Sequence, residues 1–206
     1  MLYYERKFKR KGYNFIIGVD EVGRGPLAGP VVAAATCLKN TRFKNRIDDS
    51  KKLTARQREK AFLEITDKSV FGVGIVNEVI VDRLNILVAT QLAMEQAIFK
   101  LVNRLKHKRK QKMHVLVDGN VKLRTGLSFT NIIKGDSRSK SIACASILAK
   151  VIWDRIMFLY DKVYPQYGFL RHKGYPTRAH KLAIKKFGPS LIHMKSFLKC
   201  LKSIYI

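Results

Sequence analysis

The chain has 206 residues, of which 47% are hydrophobic, so it can form one domain with a real core, and disorder is not expected. No apolar run approaches the length of a membrane span, and the charged residues 1–11 lack the apolar core and cleavage site of a secretory signal. The cysteines, Cys37, Cys144 and Cys200, are too widely spaced for a disulfide framework or a zinc site. We therefore expect a soluble, cytoplasmic protein with reduced thiols and one domain over residues 1–206.

The net charge of +26, from 41 Lys and Arg against 15 Asp and Glu, is the first functional indication. Such an excess destabilises the folded state by self-repulsion, and its usual use is to bind a polyanion. No acidic residue follows Asp161, whereas Lys and Arg recur as far as Lys202. A generally basic proteome remains an alternative explanation, and the basic block at residues 106–112 is interpreted as a solvated loop.

The first third of the chain predicts two strands and a helix. The apolar, β-branched stretch 14–20 indicates a buried strand, and 30–37 indicates a second strand after a turn at 23–26. Thr54 is a candidate helix N-cap with Gln57 as its capping-box partner, for a helix that ends at about residue 65.

The middle of the chain predicts two more strands around a long helix. Residues 70–76 and 113–117 indicate the third and fourth strands. Residues 84–105 indicate one helix with an apolar stripe. Its members are Leu84, Leu87, Val88, Leu92, Met94, Ala97, Ile98, Leu101 and Leu105.

The last part predicts a fifth strand at 129–133 and a second long helix at 137–161, whose small residues at 143–146 would let it lie close to a sheet. Two shorter helices are expected after Pro176 and Pro189. The order of elements predicts an α/β fold, a mixed five-stranded sheet flanked by helices, with a helical C-terminal part at about 176–206.

Four carboxylates each follow an apolar run, where burial would destabilise a lone charge. Asp20 and Glu21 end the first predicted strand, Asp118 ends the fourth, and Asp136 follows the fifth. Each has an ordinary explanation: a polar strand end for the first two, a turn for Asp118-Gly119, and a helix cap for Asp136.

Together, the four carboxylates indicate a metal site. The ends of the first and fourth strands lie side by side in such a sheet, and like charges about 4 Å apart repel by roughly 4 kcal/mol at an effective dielectric near 20. A cation would relieve this repulsion, and oxygen ligands suit Mg²⁺ or Mn²⁺, two of which can act on a phosphodiester. Successive side chains of a strand point to opposite faces, so we assume that the strand is already ending at Glu21.

The turn Gly23-Arg24-Gly25-Pro26 has neither the Walker A pattern nor the spacing of a Rossmann loop. It is either a tight turn or a place where the backbone approaches a ligand closely.

The stretch from Gly18 to Pro30, GVDEVGRGPLAGP, closely resembles the signature of type 2 ribonuclease H, the bacterial ribonuclease HII family. Other segments resemble this family in the same order: DSKKL at 49–53, NIL at 85–87, VDGN at 117–120, KGD at 134–136, SIACASILAK at 141–150, QYGF at 166–169, HKGYPT at 172–177 and GPS at 188–190.

The resemblance covers roughly residues 14–197 and implies an RNase H-like fold. It also implies endonucleolytic hydrolysis of RNA in RNA–DNA hybrids, and cleavage 5′ of single ribonucleotides embedded in duplex DNA to leave 5′-phosphate ends. The family's four catalytic, metal-binding carboxylates fall on Asp20, Glu21, Asp118 and Asp136. Two divalent ions, Mg²⁺ or Mn²⁺, would act during catalysis.

The resemblance also implies substrate-binding residues. Gly23, Arg24 and Gly25 would contact the ribose 2′-hydroxyl and the adjoining phosphate, and Tyr175 would stack on a neighbouring sugar. Lys51 and Lys52 match a phosphate-contacting motif, with no basis for choosing between them. From the residues alone, Tyr175 is as well explained by packing beside Pro176, and the two lysines by a solvated turn. The segment Val-Ile-Trp-Asp at 151–154 departs from a more polar family segment and is expected to affect packing only.

Two alternatives remain at this point. A ribonuclease HIII-like nuclease would carry an extra N-terminal domain and a lysine where Arg24 stands, whereas only about a dozen residues precede the first strand here. A non-catalytic, basic RNA-binding protein would share the charge but would not need four acids at strand ends. The expected partners are RNA–DNA hybrid and ribonucleotide-containing duplex DNA, with no membrane, and the expected state is a monomer.

Overall fold

A computed structural model describes residues 1–105 and 112–199. The basic block interpreted as a solvated loop therefore lies, apart from Lys112, outside the described residues. Cys200 and the end of the predicted helical C-terminal part also lie outside them. Within the described ranges, no helix combines the length and the apolarity needed to cross a bilayer.

The predicted mixed, five-stranded sheet is confirmed. Its order is β3-β2-β1-β4-β5, with β2 antiparallel to both β1 and β3, and with β4 parallel to both β1 and β5. The strands are β1 (Phe15–Val22), β2 (Val31–Leu38), β3 (Ser69–Val76), β4 (Met113–Asp118) and β5 (Ser128–Ile132). Because β1 and β4 are parallel neighbours, their carboxyl ends meet at one edge of the sheet.

Helices cover both faces of this sheet. The described helices are α1 (Tyr3–Arg10), α2 (Ala55–Lys68), α3 (Glu78–Leu84), α4 (Ile86–Arg104), α5 (Lys140–Val163), α6 (Phe169–His172), α7 (Arg178–Phe187) and α8 (Lys195–Lys199). The Thr54–Gln57 capping box is confirmed at the start of α2. The sequence did not predict α1, α3 or α6, which are short and rely on packing rather than on a long apolar period.

The predicted long helix over 84–105 is confirmed as α4, but it begins at Ile86, and Leu84 belongs to the separate helix α3. Asn85 has a φ of 71° and its side chain accepts hydrogen bonds from the backbone N–H groups of Leu87 and Val88, so α3 ends and α4 begins around it. Leu84, Leu87 and Val88 are consequently exposed. The buried stripe of α4 begins one turn later, at Ala89, Ala93, Met94, Ala97, Ile98 and Leu101.

The second long helix, α5, lies directly on the sheet. A Cβ atom at Gly18 of β1 would come within 2.2 Å of the backbone of Ser141, so only glycine fits there. Thr36 of β2 donates a hydrogen bond to the Ser141 carbonyl oxygen at 2.7 Å. The buried carboxylate of Glu5 accepts from the Ser141 N–H at 2.9 Å and from the Ser139 hydroxyl at 2.7 Å. The helix begins at Lys140 with Ser139 as its N-cap, later than the predicted start at 137.

Candidate active site

Asp20 and Asp118 meet where β1 and β4 separate. Asp118 is the last residue of β4, and the last β1–β4 pair, Val19 with Val117, leaves Asp20 beside it. Asp20 is 6% exposed. Burial, and then the charges of Glu21 and Asp118, raise the pKa of Asp20 well above its ordinary value. Ser146 of α5 opposes this shift as a hydrogen-bond donor, and its hydroxyl is also 2.9 Å from that of Ser50.

Glu21 corrects one assumption, because the strand does not end there. β1 continues to Val22 and pairs with β2 through Glu21 and Val22. The side chains of Asp20 and Glu21 therefore point to opposite faces of a regular strand, but both residues lie beyond the last residue pair between β1 and β4. Burial raises the pKa of Glu21, the Arg24 guanidinium at 3.2 Å lowers it, and the charge of Asp118 raises it. Glu21 consequently belongs to the same group of interacting charges.

Asp136 reaches the site on a short 3₁₀ segment, Gly135–Ser137, and does not cap α5. The backbone N–H of Gly135 donates to Asp118 Oδ1, which ties this segment to the end of β4. Burial and the charges of Asp49 and Asp118 raise the pKa of Asp136, while Lys51 lowers it. The structure thus brings together the four carboxylates singled out in the sequence.

The structure distinguishes the two lysines. Burial lowers the pKa of Lys51, but the charges of Asp49, Asp20, Asp136 and Asp118 outweigh burial and raise it. The charge of Lys51 therefore acts on that of the carboxylates. Lys52 instead lies 3.5 Å from Asp48 and is half exposed.

Three contributors at this site were not singled out by the sequence analysis: Asp49, Ser146 and Trp153. Asp49 was interpreted only as part of a motif, and its side chain also accepts a hydrogen bond from the Lys51 N–H at 2.9 Å. Ser146 looked like a small packing residue of α5. A polar residue among apolar helix positions is the only signal that could have indicated it.

The Gly23-Arg24-Gly25 turn lies against Trp153 and Tyr175. Gly23 has a φ of +106°, and a Cβ atom there would lie 2.3 Å from the Pro30 carbonyl oxygen and 2.9 Å from Trp153 Nε1. Trp153, which is fully buried, donates from Nε1 to the same oxygen at 2.8 Å. Trp153 lies in the segment 151–154 that departs from the family pattern, and it contacts the buried side of the turn. This segment was expected to affect packing only, but its tryptophan also borders the turn.

Tyr175 lies in front of the same turn. A Cβ atom at Gly25 would be 3.2 Å from Tyr175 Cε1, and the rings of Tyr175 and Trp153 meet edge to face with centroids 6.4 Å apart. Tyr175 is nevertheless 40% exposed, so packing beside Pro176 does not account for its position. The Arg24 side chain is 43% exposed and can reach a bound phosphate.

The donor set fits a hard divalent cation. All four side chains offer carboxylate oxygens, and Glu21 Oε2 is buried without a hydrogen-bond partner. Among residues 1–105 and 112–199, however, no three His, Cys, Asp or Glu side chains are already arranged around one point. Side-chain rotations would therefore have to complete the coordination.

Comparison with known proteins identifies the family. Residues 17–200 match the family described as Ribonuclease HII. A Ribonuclease HII of Ruminiclostridium cellulolyticum is 49% identical over 200 residues, which cover 97% of this chain and 76% of the relative. A Ribonuclease HII of Acholeplasma laidlawii is 46% identical over 197 residues, which cover 95% of this chain and 93% of the relative.

Solved structures share the fold. The RNase HII of the PCNA:RNase HII complex from Archaeoglobus fulgidus aligns with a TM-score of 0.75 at 22% identity, covering 93% of this chain and 97% of that chain. Bst-RNase HIII in complex with Mn²⁺ aligns with a TM-score of 0.65 at 17% identity, covering 93% and 71% respectively. The sequence relatives decide against both the ribonuclease HIII alternative and the non-catalytic one. The chain belongs to the ribonuclease HII family, and it is a metal-dependent endonuclease that hydrolyses RNA in RNA–DNA hybrids.

Proposed function

We propose that Asp20, Glu21, Asp118 and Asp136 hold two divalent ions, Mg²⁺ or Mn²⁺, during cleavage. The observation that carries this proposal is that the four carboxylates lie at one edge of the sheet, where Asp20 and Asp136 are buried and Glu21 and Asp118 are half-buried, and that their charges act on one another. Bringing such charges together is unfavourable unless a cation or a proton compensates them. The buried Glu21 Oε2, which lacks a hydrogen-bond partner, supports a cation as the compensating group.

The ions would supply the Lewis acidity needed for in-line displacement at phosphorus. The water oxygen forms a bond to phosphorus, and the bond from phosphorus to the 3′-oxygen of the preceding nucleotide breaks. The products are a 3′-hydroxyl and a 5′-phosphate on the ribonucleotide. Ser146 contributes by donating to Asp20, and the Gly135 N–H by donating to Asp118, which fixes these two carboxylates.

The second part of the proposal is that the Gly23-Arg24-Gly25 turn recognises a single ribonucleotide in duplex DNA. A protein can distinguish the two backbones at one nucleotide through the 2′-hydroxyl, which both donates and accepts. Exposed backbone groups of the turn would bind this hydroxyl, Arg24 the adjoining phosphate, and the Tyr175 ring the neighbouring sugar. Since Arg24 is 3.2 Å from Glu21, a ribose bound there lies next to the carboxylates.

Lys51, rather than Lys52, would contact the scissile phosphate. The charge of Lys51 interacts with those of Asp20, Asp118 and Asp136, whereas Lys52 lies 3.5 Å from Asp48. Its cation would hold the substrate anion at the point where the carboxylates hold the metal ions.

The chain would act as a monomer and as one domain in the cytoplasm. The charge of +26 opposes self-association, and Cys144 is a free, buried thiol, as suits a reducing compartment.

The test compares Asp20→Asn and Asp118→Asn with the matched control Asp67→Asn, which removes an exposed carboxylate remote from this edge of the sheet. Duplexes with one, four or no ribonucleotides are offered with Mg²⁺ or Mn²⁺, and binding is measured separately in EDTA. We expect the first two variants to lose nearly all cleavage on the ribonucleotide-containing duplexes but to keep binding, and the control to cleave normally. Near-normal turnover by either site variant would remove that residue from the metal site. A wild type that cleaves four ribonucleotides but ignores one would refute the proposed role of the turn.

A further inference from the structure

Three histidines from separate parts of the C-terminal region, His172, His180 and His193, lie together beside Tyr175. The ring centroids of His172 and His180 are 4.3 Å apart and the rings are stacked, while those of His180 and His193 are 5.2 Å apart. His180 is fully buried and His193 is 3% exposed. Buried polar side chains are nearly always hydrogen-bonded, so the hydrogen bonds of these imidazoles indicate what they do in the structure.

The hydrogen-bond partners fix the proton positions on two of these rings. His180 Nδ1 is 2.9 Å from the Tyr175 carbonyl oxygen, which can only accept, so Nδ1 carries the proton. The other nitrogen of a neutral His180 must then accept, and it lies 3.0 Å from His193 Nε2, which therefore donates. His193 Nδ1 is left as an acceptor, and the Ser190 N–H and hydroxyl donate to it at 2.9 Å and 2.7 Å.

We infer that Ser190, His193 and His180 form a histidine relay that positions Tyr175 for the substrate, which makes His180 and His193 positioning residues of the nuclease. The inference rests on the proposed role of Tyr175. The relay runs in one direction, from Ser190 to the Tyr175 carbonyl, and every ring nitrogen in it has a suitable partner.

Tyr175 needs such an anchor because its ring is held weakly. The ring is 40% exposed and has an edge contact with Trp153 and a close approach to Gly25. The Tyr175 carbonyl, in contrast, accepts from both His180 and the Thr177 N–H, the latter at 2.8 Å. Fixing the backbone leaves the ring few positions over the turn.

The same region is fastened to the segment that follows the turn. The Leu27 N–H donates to the Gly174 carbonyl at 2.8 Å, and the Met194 N–H donates to the Leu27 carbonyl at 2.9 Å. Leu27 thus joins the residues before Tyr175 to those after His193. The relay connects the same segments through the buried side chains of His180 and His193, so a change at His193 can be transmitted to Tyr175 without any contact with the substrate.

The test uses His180→Ala and His180→Asn. Asparagine keeps a donor close to the position of Nδ1, whereas alanine removes it. His114→Ala is the matched control, because His114 is a buried histidine with two side-chain hydrogen bonds, to Ser128 and Thr130, at the opposite end of β4. Should His180→Ala not fold, His180→Asn and Ser190→Ala carry the comparison.

Two readouts are compared at equal folded fraction. The first is kcat/KM on a duplex with one ribonucleotide, for His180→Ala in the wild-type and Tyr175→Ala backgrounds. The second is the fluorescence of Trp153, the single tryptophan of the chain, whose ring meets that of Tyr175.

We expect His180→Ala to lower kcat/KM about tenfold to a hundredfold, as misplacement of a positioning group does, and to change the Trp153 emission. His180→Asn should restore much of both, and His180→Ala should have little further effect once Tyr175 is alanine. The relay would be overturned if the losses of kcat/KM from His180→Ala and Tyr175→Ala were additive in the double variant. It would also be overturned if His180→Ala changed the Trp153 emission no more than His114→Ala does. A Tyr175→Ala variant with wild-type cleavage would refute the proposed substrate role of Tyr175, while the Trp153 signal would still report whether His180 positions its ring.

Discussion

Gly23→Ala would place a methyl group where the structure has no room for it. Its Cβ atom would lie 2.3 Å from the Pro30 carbonyl oxygen, whereas ordinary contacts begin at 3.4 Å, so the backbone of the turn must move by about 1 Å. The φ of +106° adds strain of roughly 1–3 kcal/mol for a residue with a side chain. Trp153 blocks the other direction, because its Nε1 would be 2.9 Å away.

The expected effect on catalysis follows from this displacement. A misplacement of about 1 Å next to the reacting atoms costs roughly a hundredfold in rate, or about 2.7 kcal/mol of transition-state stabilisation. At Gly25 the nearest atom to a new Cβ is Tyr175 Cε1 at 3.2 Å, a ring that can yield by a few tenths of an ångström. Gly25→Ala should therefore cost less than about tenfold.

The assay measures kcat/KM on duplexes with one and with four ribonucleotides, and binding to each in EDTA. Gly126→Ala is the control for backbone strain, because Gly126 has a φ of +68° and a Cβ there would meet nothing within 4 Å. We expect Gly23→Ala to lose cleavage of the single-ribonucleotide duplex while general duplex binding changes little, and Gly126→Ala to lose stability only. If Gly23→Ala and Gly126→Ala cleave the single-ribonucleotide duplex equally well, the reasoning about the turn is refuted.

Four further predictions concern charge and pH. Lys51→Ala should reduce cleavage at least about tenfold more than Lys52→Ala, as measured by kcat/KM, and equal losses would contradict the distinction between them. Asp20→Asn should raise the free energy of unfolding in EDTA, because burial destabilises the charged form; a denaturant titration checks this. Burial and the charge of Lys11 lower the pKa of His114 to about 4. The contribution of neutral His114 to the free energy of unfolding is therefore complete above pH 6.5, and it falls by about 1.4 kcal/mol per pH unit towards pH 4. The unfolding free energies of wild type and His114→Gln should converge over that range, and a constant difference would contradict the prediction. Charge reversal of Lys173, Arg178, Lys181 and Lys185, in the acid-free C-terminal part, should make the salt dependence of duplex binding less steep without moving the cleavage position. The slope of log K against log salt should change by roughly 0.9 for each phosphate that the protein no longer neutralises. An unchanged slope would mean that these residues form only a solvated face.

The sequence predicted the sheet well because its strands are separate apolar stretches with clear borders. The positions of the four carboxylates followed from that, since an acid at the end of a strand goes wherever the strand ends. The extent of β1 could not be predicted, because Glu21 and Val22 pair only with β2, and a polar residue on one face does not stop such pairing. Asn85 was missed because a left-handed residue within an apolar period leaves that period almost undisturbed.

Adjacent residues of one type are the other limit of prediction from sequence. Lys51 and Lys52 are chemically identical, and their different electrostatic surroundings depend on the 3₁₀ turn that Asp49 caps. The sequence likewise does not indicate that His180 and His193 form a hydrogen-bonded pair. The distance between their rings depends on how the segment before α8 docks against Leu27, which no local pattern encodes.

The helix α5 has a consequence for how the enzyme fails on heating. Its Ser141 is bonded to β2, its Ser146 supports Asp20, and its Trp153 holds Pro30 behind the turn. One 24-residue helix, about 36 Å long, therefore runs beneath the sheet, the carboxylates and the turn. Regions that share such an element open together rather than separately. Backbone amides of β1 and α5 should exchange with solvent only through global unfolding, and thermal inactivation should coincide with the loss of helical circular dichroism instead of preceding it.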